Sequence, residues 1–430
     1  MTPSSAPPSI PSLLQGYGAI GRDEMFEANG EVRPCWRPLL EFVQRTGAAR
    51  LHEIRDSASR ILRESGVTYT VYGDPQGFSR PWELDPLPLL LEEAEWKEVE
   101  RGLIQRRELL DRLLRDLHGP QEVVGLGLLP PELLHASLGF LFPCHGQEFR
   151  PQCALPLYAA DLGRSQDGRF VVLTDRVQSP SGLGYLLENR ITLSRILSEP
   201  LRGVTYLRLR RFYETFRRNL ASLAPTPRED PHLVLLTPGP ANETYFEHSF
   251  LANYLGLALV QGADLTVRSG RVHLKTLDGL HPVDVIWRRV DDSFCDPLEL
   301  RGDSLLGTAG LTAAARRGGV TMVNPLGAGV LDNHLLHAFM PQLARYFLGE
   351  ELLLPSLPTW WCGLPDHLEQ AMEQLEQLVI KPVFSNPGEP PVHGGGLSGA
   401  ELEATRRRIL ARPAHYVAQR RCDPSTVPVL

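Results

Sequence analysis

No stretch of this 430-residue sequence stays apolar long enough to cross a bilayer, which takes about 20 consecutive residues. The opening MTPSSAPPSIPS lacks both the basic start and the apolar core of a secretory signal. It reads as a floppy Pro/Ser leader over residues 1–16. Cysteine is scarce: the six (Cys35, Cys144, Cys153, Cys295, Cys362, Cys422) are scattered without a CxxC pair, so no disulfide framework is expected. Each reads as a free thiol, and the cytoplasm follows as the default location. A zinc site of Cys144, His145 and Cys153 is the alternative, with an incomplete ligand set. Positive charge is not in excess either. With 44 Lys and Arg against 51 Asp and Glu, the net charge is −7, which argues against nucleic acid as a partner. No internal repeat is visible.

What is present is a globular composition, 42% hydrophobic and 22% charged, on a chain too long for one ordinary core. The first half is helix-rich. Leu51, Ile54, Ile61 and Leu62 recur at helical spacing. A longer amphipathic helix is expected over about 93–117, with Trp96, Val99, Leu103, Leu110, Leu113 and Leu117 on one stripe. Its charges, Arg106 and Arg107 among them, read as the solvated face. RFVVLTDR (169–176) reads as a strand, followed by the loop SPSGLG and a helix opening near Tyr185.

After the linker TPREDP the pattern changes. HLVLLTPGP, LALV, DVIWRR and VTMVN read as strands, separated by helices in TYFEHSFLANYLG and LLGTAGLTAAARRG and by a hairpin turning at Ser269-Gly270. Strands alternating with helices predict a parallel sheet. From Pro355 onward an aromatic loop TWWCG precedes a helix carrying Leu368, Met372, Leu375 and Leu378 in register. The strand VIKPV, the loop SNPGEPPVHGGG, a helix AELEATRRRILARP and the strand HYVAQ follow. Lys381 on VIKPV could set an ammonium beside nucleotide phosphates cradled by loop N–H groups; a surface lysine before a proline is the other reading. His248 reads as a base or a packed side chain, Cys362 as a nucleophile without a partner, and the basic segment 208–219 as a solvated helix face.

In succession, DEMFEANGEVRPCWRPLLEF, TYTVYGD, RPWELDPLPLL, LIQRRELLDRLLRDLHG, SPSGLGYLLENR, LLTPGPANETYFEHSFLANYLG, VDVIWRRVDDSFCDPLELR and QLVIKP resemble the circularly permuted ATP-grasp type 2 proteins, related to the ATP-binding domain of glutathionylspermidine synthases. The resemblance implies an α/β fold with α+β lobes: a permuted ATP-grasp lobe within the helix-rich region 17–224, a Rossmann-like preATP-grasp domain at 231–330, and a second lobe at 331–430 that is incomplete at its C-terminal end. It implies ATP and Mg2+, and an ATP-dependent ligase that joins a carboxylate to an amine through an acyl phosphate.

Carried over residue by residue, the resemblance implies nucleotide contacts from Lys381, from His334, which stands where a second lysine is expected, and from the adenine-hinge strand 416–419 with Tyr416 and Gln419. Its first-lobe block matches Asn324, Gly327, Gly329 and Asp332. Substrate contacts fall to Thr237, Gly239, Asn242 and Glu243 at one strand end, and to Arg288, Arg289, Asp291 and Asp292 at the next, unless those charges pair with one another. Ser181, Glu188, Asn189 and Arg190 complete the set. The departures are equally specific. An E-D-N metal triad reads Thr174, Asp175, Arg176, which leaves Asp175 as the sole family metal ligand and predicts Arg176 in the ion's place, paired to Asp175 or Glu188. The loop after Lys381 gains prolines that remove N–H donors. Two readings therefore stand: a ligase acting on a small-molecule or peptide substrate, or a catalytically degenerate relative that assists a paralogous or operon-encoded protein. Both place Lys381 across a cleft from residues 174–190, with no role for nucleic acid or membrane.

Overall fold

The computed structural model describes residues 17–18, 21–71, 79–149, 153–198, 205–384 and 390–430. The expected leader and the leading half of the loop after Lys381 lie outside them. Among the described residues no helix is long and apolar enough to cross a membrane.

Helix α1 (Arg37–Glu64) is broken at Gly47, whose φ of 72° interrupts the helical path. A short hairpin follows, β1 (Thr68–Thr70) against β2 (Ser79–Pro81). Helix α2 (Glu93–Leu117) has the expected bounds, with Val99, Gly102, Arg106, Leu109, Leu110, Leu113, Leu114 and Leu117 buried. Its inner face packs with the short helices α3 (Glu122–Gly125) and α4 (Glu132–His135) and with Val330, Leu335 and Met340 in one apolar cluster. Arg106 sits on that inner face, wholly buried. The solvated-face reading fails for it, because 99, 103, 106, 110, 113 and 117 form an unbroken 3–4 spacing in which Arg106 fills the gap.

An antiparallel pair, β3 (Ala159–Arg164) and β4 (Phe170–Arg176), leads into α5 (Leu183–Ile196). Helix α6 (Arg210–Ser222) covers the basic segment and buries only Tyr213 and Leu220, as a solvated helix does. Then comes the alternating region: β5 (Leu233–Leu236), α7 (Tyr245–Leu255), β6 (Ala258–Val260), the antiparallel trio β7 (Leu265–Arg268), β8 (Arg271–Thr276) and β9 (Gly279–Pro282), β10 (Val285–Arg288), α8 (Leu311–Arg316) and β11 (Thr321–Val323). Strands β11, β10, β5 and β6 lie in that order, all parallel. One face buries Val234, Leu236 and Ile286, the other Leu233, Leu235 and Trp287, so these strands are apolar on both sides. From β5 the chain goes to β6 on one side, and β10 enters on the other. The crevice beyond the C-terminal ends of β5 and β10 is thus a topological switch point.

After α9 (Met340–Leu348) the last sheet runs β12 (Thr359–Trp361), β15 (Tyr416–Arg420), β13 (Leu378–Pro382), β14 (Val392–His393). Helices α10 (Pro365–Glu373) and α11 (Gly399–Ala411) back it, the latter opened by a Ser398–Glu401 capping box. Two expectations change here. TWW is a strand, not a loop, because it adds an antiparallel edge to β15. The helix carrying Leu368 and Met372 stops at Glu373, so Leu378 belongs to β13.

Candidate functional site

Lys381 lies near the end of β13, where its side chain points toward β4 across β15. Its Nζ donates to Gln419 Oε1 at 2.8 Å. Gln419 is buried, and its amide nitrogen reaches Thr359 Oγ1 at 3.2 Å and the carbonyl of Leu173 on β4 at 3.5 Å. Burial lowers the Lys381 pKa, Asp161 on β3 opposes that, and Arg176 on β4 adds to it. The ammonium and the β3–β4 pair therefore share one electrostatic space, as the cleft expectation requires. His334 faces the same space. Its Nδ1 is buried with no hydrogen-bond partner among the described residues. Burial, with Lys381 next, pushes its pKa down to about 3, so the ring is neutral. Asn333 fixes it by donating to the Val383 carbonyl at 3.0 Å and capping Leu335 N at 2.9 Å.

The hinge assignment of 416–419 does not hold. Strand β15 is interior, laddered to β12 through Thr359↔Gln419 and Trp361↔Val417 and to β13 through Val379↔Gln419 and Lys381↔Val417. Its N–H and C=O groups are spent on neighbours. The Tyr416 ring lies in the apolar core between Ile380 and Ile409. Gln419 acts instead through its side chain, as the holder of Lys381. Of the glycine turn Gly394–Gly396, Gly394 is fixed by packing, since an added Cβ would stand 2.0 Å from the Leu375 carbonyl, whereas Gly396 faces open space.

Asp175 is not available to a metal. Both of its oxygens are taken by Arg106, at 2.6 Å from Nε and 2.7 Å from Nη2, and Tyr158 Oη donates to it at 2.7 Å. His337 Nε2 adds a contact at 3.3 Å. Burial would raise this carboxyl, but the Arg106 guanidinium outweighs it and holds Asp175 well below the usual range. Arg176 does not occupy the ion's place. It is largely exposed and pairs with Asp161 at 2.6 Å, not with Asp175 or Glu188. Alternation along β4 explains the error: consecutive side chains point to opposite faces, so Arg176 cannot share the buried side of Asp175. The cation that neutralises Asp175 comes from α2.

Asp332, next to the first-lobe glycines, accepts from the backbone N–H of Val177 at 2.6 Å and of Gln178 at 3.4 Å. Burial, with Asp292 and Asp175 nearby, raises it to about 7. Asn324 accepts from the Leu157 N–H at 2.9 Å and donates to its carbonyl at 2.6 Å, tying the end of β11 to the segment entering β3. Among the described residues no three His, Cys, Asp or Glu side chains are grouped to hold a metal ion. That covers both Asp175 and the Cys144–His145–Cys153 alternative; all six cysteines are free, and burial pushes Cys144 up to about 12.

At the switch point the expected substrate residues divide. Arg288 is wholly buried and spends its guanidinium on the carbonyls of Asn324 (2.8 Å), Val290 (3.0 Å) and Pro325 (3.2 Å). Arg289 pairs with Glu247 at 3.2 Å and also donates to the Pro180 carbonyl. Asp292 accepts from Ser293 N at 2.8 Å and Gly329 N at 3.2 Å, and Asp291 takes a 3.4 Å contact from Ser179. Arg288, Arg289 and Asp292 are spent on the protein itself and knit β10 to its surroundings, while Asp291 is exposed; none of the four pairs with another. Thr237 accepts from Gly239 N at 3.1 Å and meets His248 Nδ1 at 2.9 Å, while His248 Nε2 reaches Thr244 Oγ1 at 3.2 Å. Burial lowers His248 to about 3, so it is a neutral brace, not a base. Asn242 accepts from Thr244 N at 3.0 Å and sets the turn that presents Glu243.

Ser181, Asn189 and Glu243 come together on a cavity of about 760 Å3 whose other walls are Tyr69, Trp82, Tyr185 and Thr244. Glu188 is buried on α5, and Arg190 turns away to the Leu207 carbonyl at 2.6 Å. The three aromatic walls went unassigned from sequence, although TYT and RPW crowd rings into short extended segments. This cavity and the Lys381 cleft flank one run of chain, β4 through α5.

The sequence profile of the circularly permuted ATP-grasp type 2 family matches residues 88–430. The chain belongs to that family. An uncharacterised Mycobacterium tuberculosis protein is 38% identical over 424 residues, 97% of this chain but 48% of the relative. This ATP-grasp chain thus spans about half the length of that relative, and 74% of a second uncharacterised Mycobacterium tuberculosis protein that is 36% identical over 412 residues. An uncharacterised Synechocystis protein is 36% identical over 408 residues, 95% of this chain and 85% of the relative. The apo structure of a glutathione synthetase-like effector from Globodera pallida superposes with a TM-score of 0.57 at 14% identity, over 88% of this chain and 82% of that one; at that identity it speaks for the fold alone. The family generally uses ATP and Mg2+. A nucleotide fits the half-buried ammonium of Lys381. A divalent ion does not fit the Asp175 position, whose oxygens are already bound.

Proposed function

We propose that this ATP-grasp chain is an ATP-dependent ligase that joins a carboxylate to an amine through an acyl phosphate. One observation supports it above the rest: Lys381, in a family of ATP-binding ligases, is half-buried and aimed by Gln419 into the space bounded by β3 and β4. There Lys381 would neutralise phosphate charge, and neutral His334 would offer a hydrogen bond beside it without adding repulsion. A nucleotide-binding relative without ligase turnover is the second reading, favoured by the closed Asp175–Arg106 pair.

The test is a thermal melt with and without millimolar ATP, in magnesium and in EDTA. Wild type should gain stability as nucleotide is added. Lys381→Ala should bind about 10–100-fold more weakly, as expected for losing a charge-assisted bond of about 1.5–3 kcal/mol. Absence of any shift in wild type would remove both and favour a degenerate relative that no longer binds nucleotide and assists another protein. A shift equal in EDTA and magnesium, without ADP release on incubation with amines and carboxylates, would select the second.

A further inference from the structure

Strands β3 and β4 do not pair in simple register. Asp161 faces Thr174 and Leu162 faces Val172, so the ladder skips Leu173. A bulge of this kind re-aims the side chains that follow it. Beyond it, Thr174 and Arg176 lie on the same face of the pair as Asp161, while Asp175 lies on the other with its partner Arg106. The carbonyl of the skipped Leu173 takes Gln419 Nε2 at 3.5 Å, and Gln419 Oε1 takes the Lys381 ammonium at 2.8 Å. The bulge thus ties the face carrying Asp161 and Arg176 to the strand end carrying Lys381. Both charges act on that ammonium: burial lowers its pKa, Asp161 raises it, and Arg176 lowers it further.

The Asp161–Arg176 pair is itself open. Arg176 Nη2 stands 2.6 Å and Nε 2.8 Å from the same oxygen, Asp161 Oδ2, and the side chains are 57% and 44% exposed. An ion pair so exposed is weak, unlike the enclosed Arg106–Asp175 pair. The other charges near Arg176 are accounted for. The Asp161 hydrogen bond raises its pKa against partial burial, and Asp332 is the second carboxylate acting on it. Asp332 already accepts from the N–H groups of Val177 and Gln178, and burial keeps His334 neutral. With Asp161 displaced, Arg176 and Lys381 present two cations to one space, an arrangement that favours a polyanion. We infer that Arg176 is a second phosphate-binding residue of the Lys381 cleft, and that Asp161 holds its guanidinium until a phosphate displaces the carboxylate. The fork of an arginine can engage two phosphate oxygens where it now engages one carboxylate oxygen.

That the phosphate belongs to a nucleotide rests on the reading proposed above; that the two cations take a polyphosphate does not, so the two fail separately. Titration calorimetry on the full chain, in EDTA, compares ATP with inorganic tripolyphosphate for wild type, Asp161→Asn, Arg176→Gln and the double variant. Asp161→Asn should bind both ligands about 3–10-fold more tightly, because it releases a weak pair and removes a like charge. Arg176→Gln should bind both about 10-fold more weakly. The effects should not add: in the Arg176→Gln background, Asp161→Asn should recover little of its gain. Both side chains are exposed, so the variants are expected to fold. Tripolyphosphate bound with this pattern, and ATP not bound, would keep the anion site and remove the nucleotide reading. ATP bound equally by wild type and both single variants would overturn the role of Arg176 and leave the nucleotide reading standing. A gain from Asp161→Asn undiminished in the double variant would overturn it too, because Asp161 would then act on Lys381 alone. Binding of neither ligand by wild type or Asp161→Asn would overturn both.

Discussion

Arg106→Ala is expected to lower stability by about 3–5 kcal/mol, because it strands the Asp175 carboxylate in the interior without its counter-ion. The same guanidinium holds Ser356 Oγ at 2.8 Å, so the loss also loosens α2 from the segment entering β12. Chemical denaturation measures it; a loss below about 1 kcal/mol would contradict the pairing. The double replacement Arg106→Met with Asp175→Leu should recover much of the deficit, since a buried pair gains little over well-packed apolar side chains. The pH dependence has a defined sign. Asp175 is depressed in the folded protein, so its contribution is present above the unfolded value of about 3.9 and is lost as the pH falls below it. Arg106→Ala should flatten that acid limb.

Arg289→Met should cost a similar amount, about 3–5 kcal/mol, but with the opposite pH signature. Glu247 is raised by burial, against the pull of Arg289 and the N–H groups of Gly182 and Gly184. A raised carboxyl contributes stability below its unfolded pKa, about 4.3, that is lost as the pH rises through the folded value. Removing Arg289 raises Glu247 further, so the variant should be least stable at neutral and alkaline pH and regain stability on mild acidification. Glu247 Oε2 also accepts from Gly182 N at 2.6 Å, just before α5, so the variant should loosen the start of that helix. Unfolding curves from pH 4 to 8 would decide it; a loss that does not vary with pH would contradict the role given to Glu247.

Much of the architecture was legible because it is periodic. The apolar runs of β5 and β10 and the stripe of α2 declare themselves, as does the turn at Ser269-Gly270, where both φ are positive, 49° and 76°. Proximity of Lys381 to the β3–β4 pair followed from family resemblance, not from any local pattern. What was missed depends on which side of an element a residue takes. Arg106 was read by its charge rather than its position in the stripe, and Arg176 by its neighbour rather than by strand alternation. The resemblance makes Tyr416 and Gln419 an adenine hinge, and no local signal corrects it because the pairing of TWW with HYVAQ joins distant segments. The arginines of β10 could equally have faced a ligand; only the carbonyls around them show otherwise.

Near the two ends of the described chain, Asp23 pairs with Thr426 in a parallel bridge, and Val427 and Leu430 pack on the cluster around Trp36 and Leu40. The widest of these contacts, the approach of Thr426 Oγ1 to the Arg22 carbonyl, joins positions 404 residues apart. Leu193, Ile196 and Leu197 cover part of the patch early, but at a translation rate of about 5–20 residues per second the part under Val427 and Leu430 waits roughly 20–80 s after Trp36 is made. A nascent chain carries that part of the patch uncovered for the interval, a handle open to a chaperone.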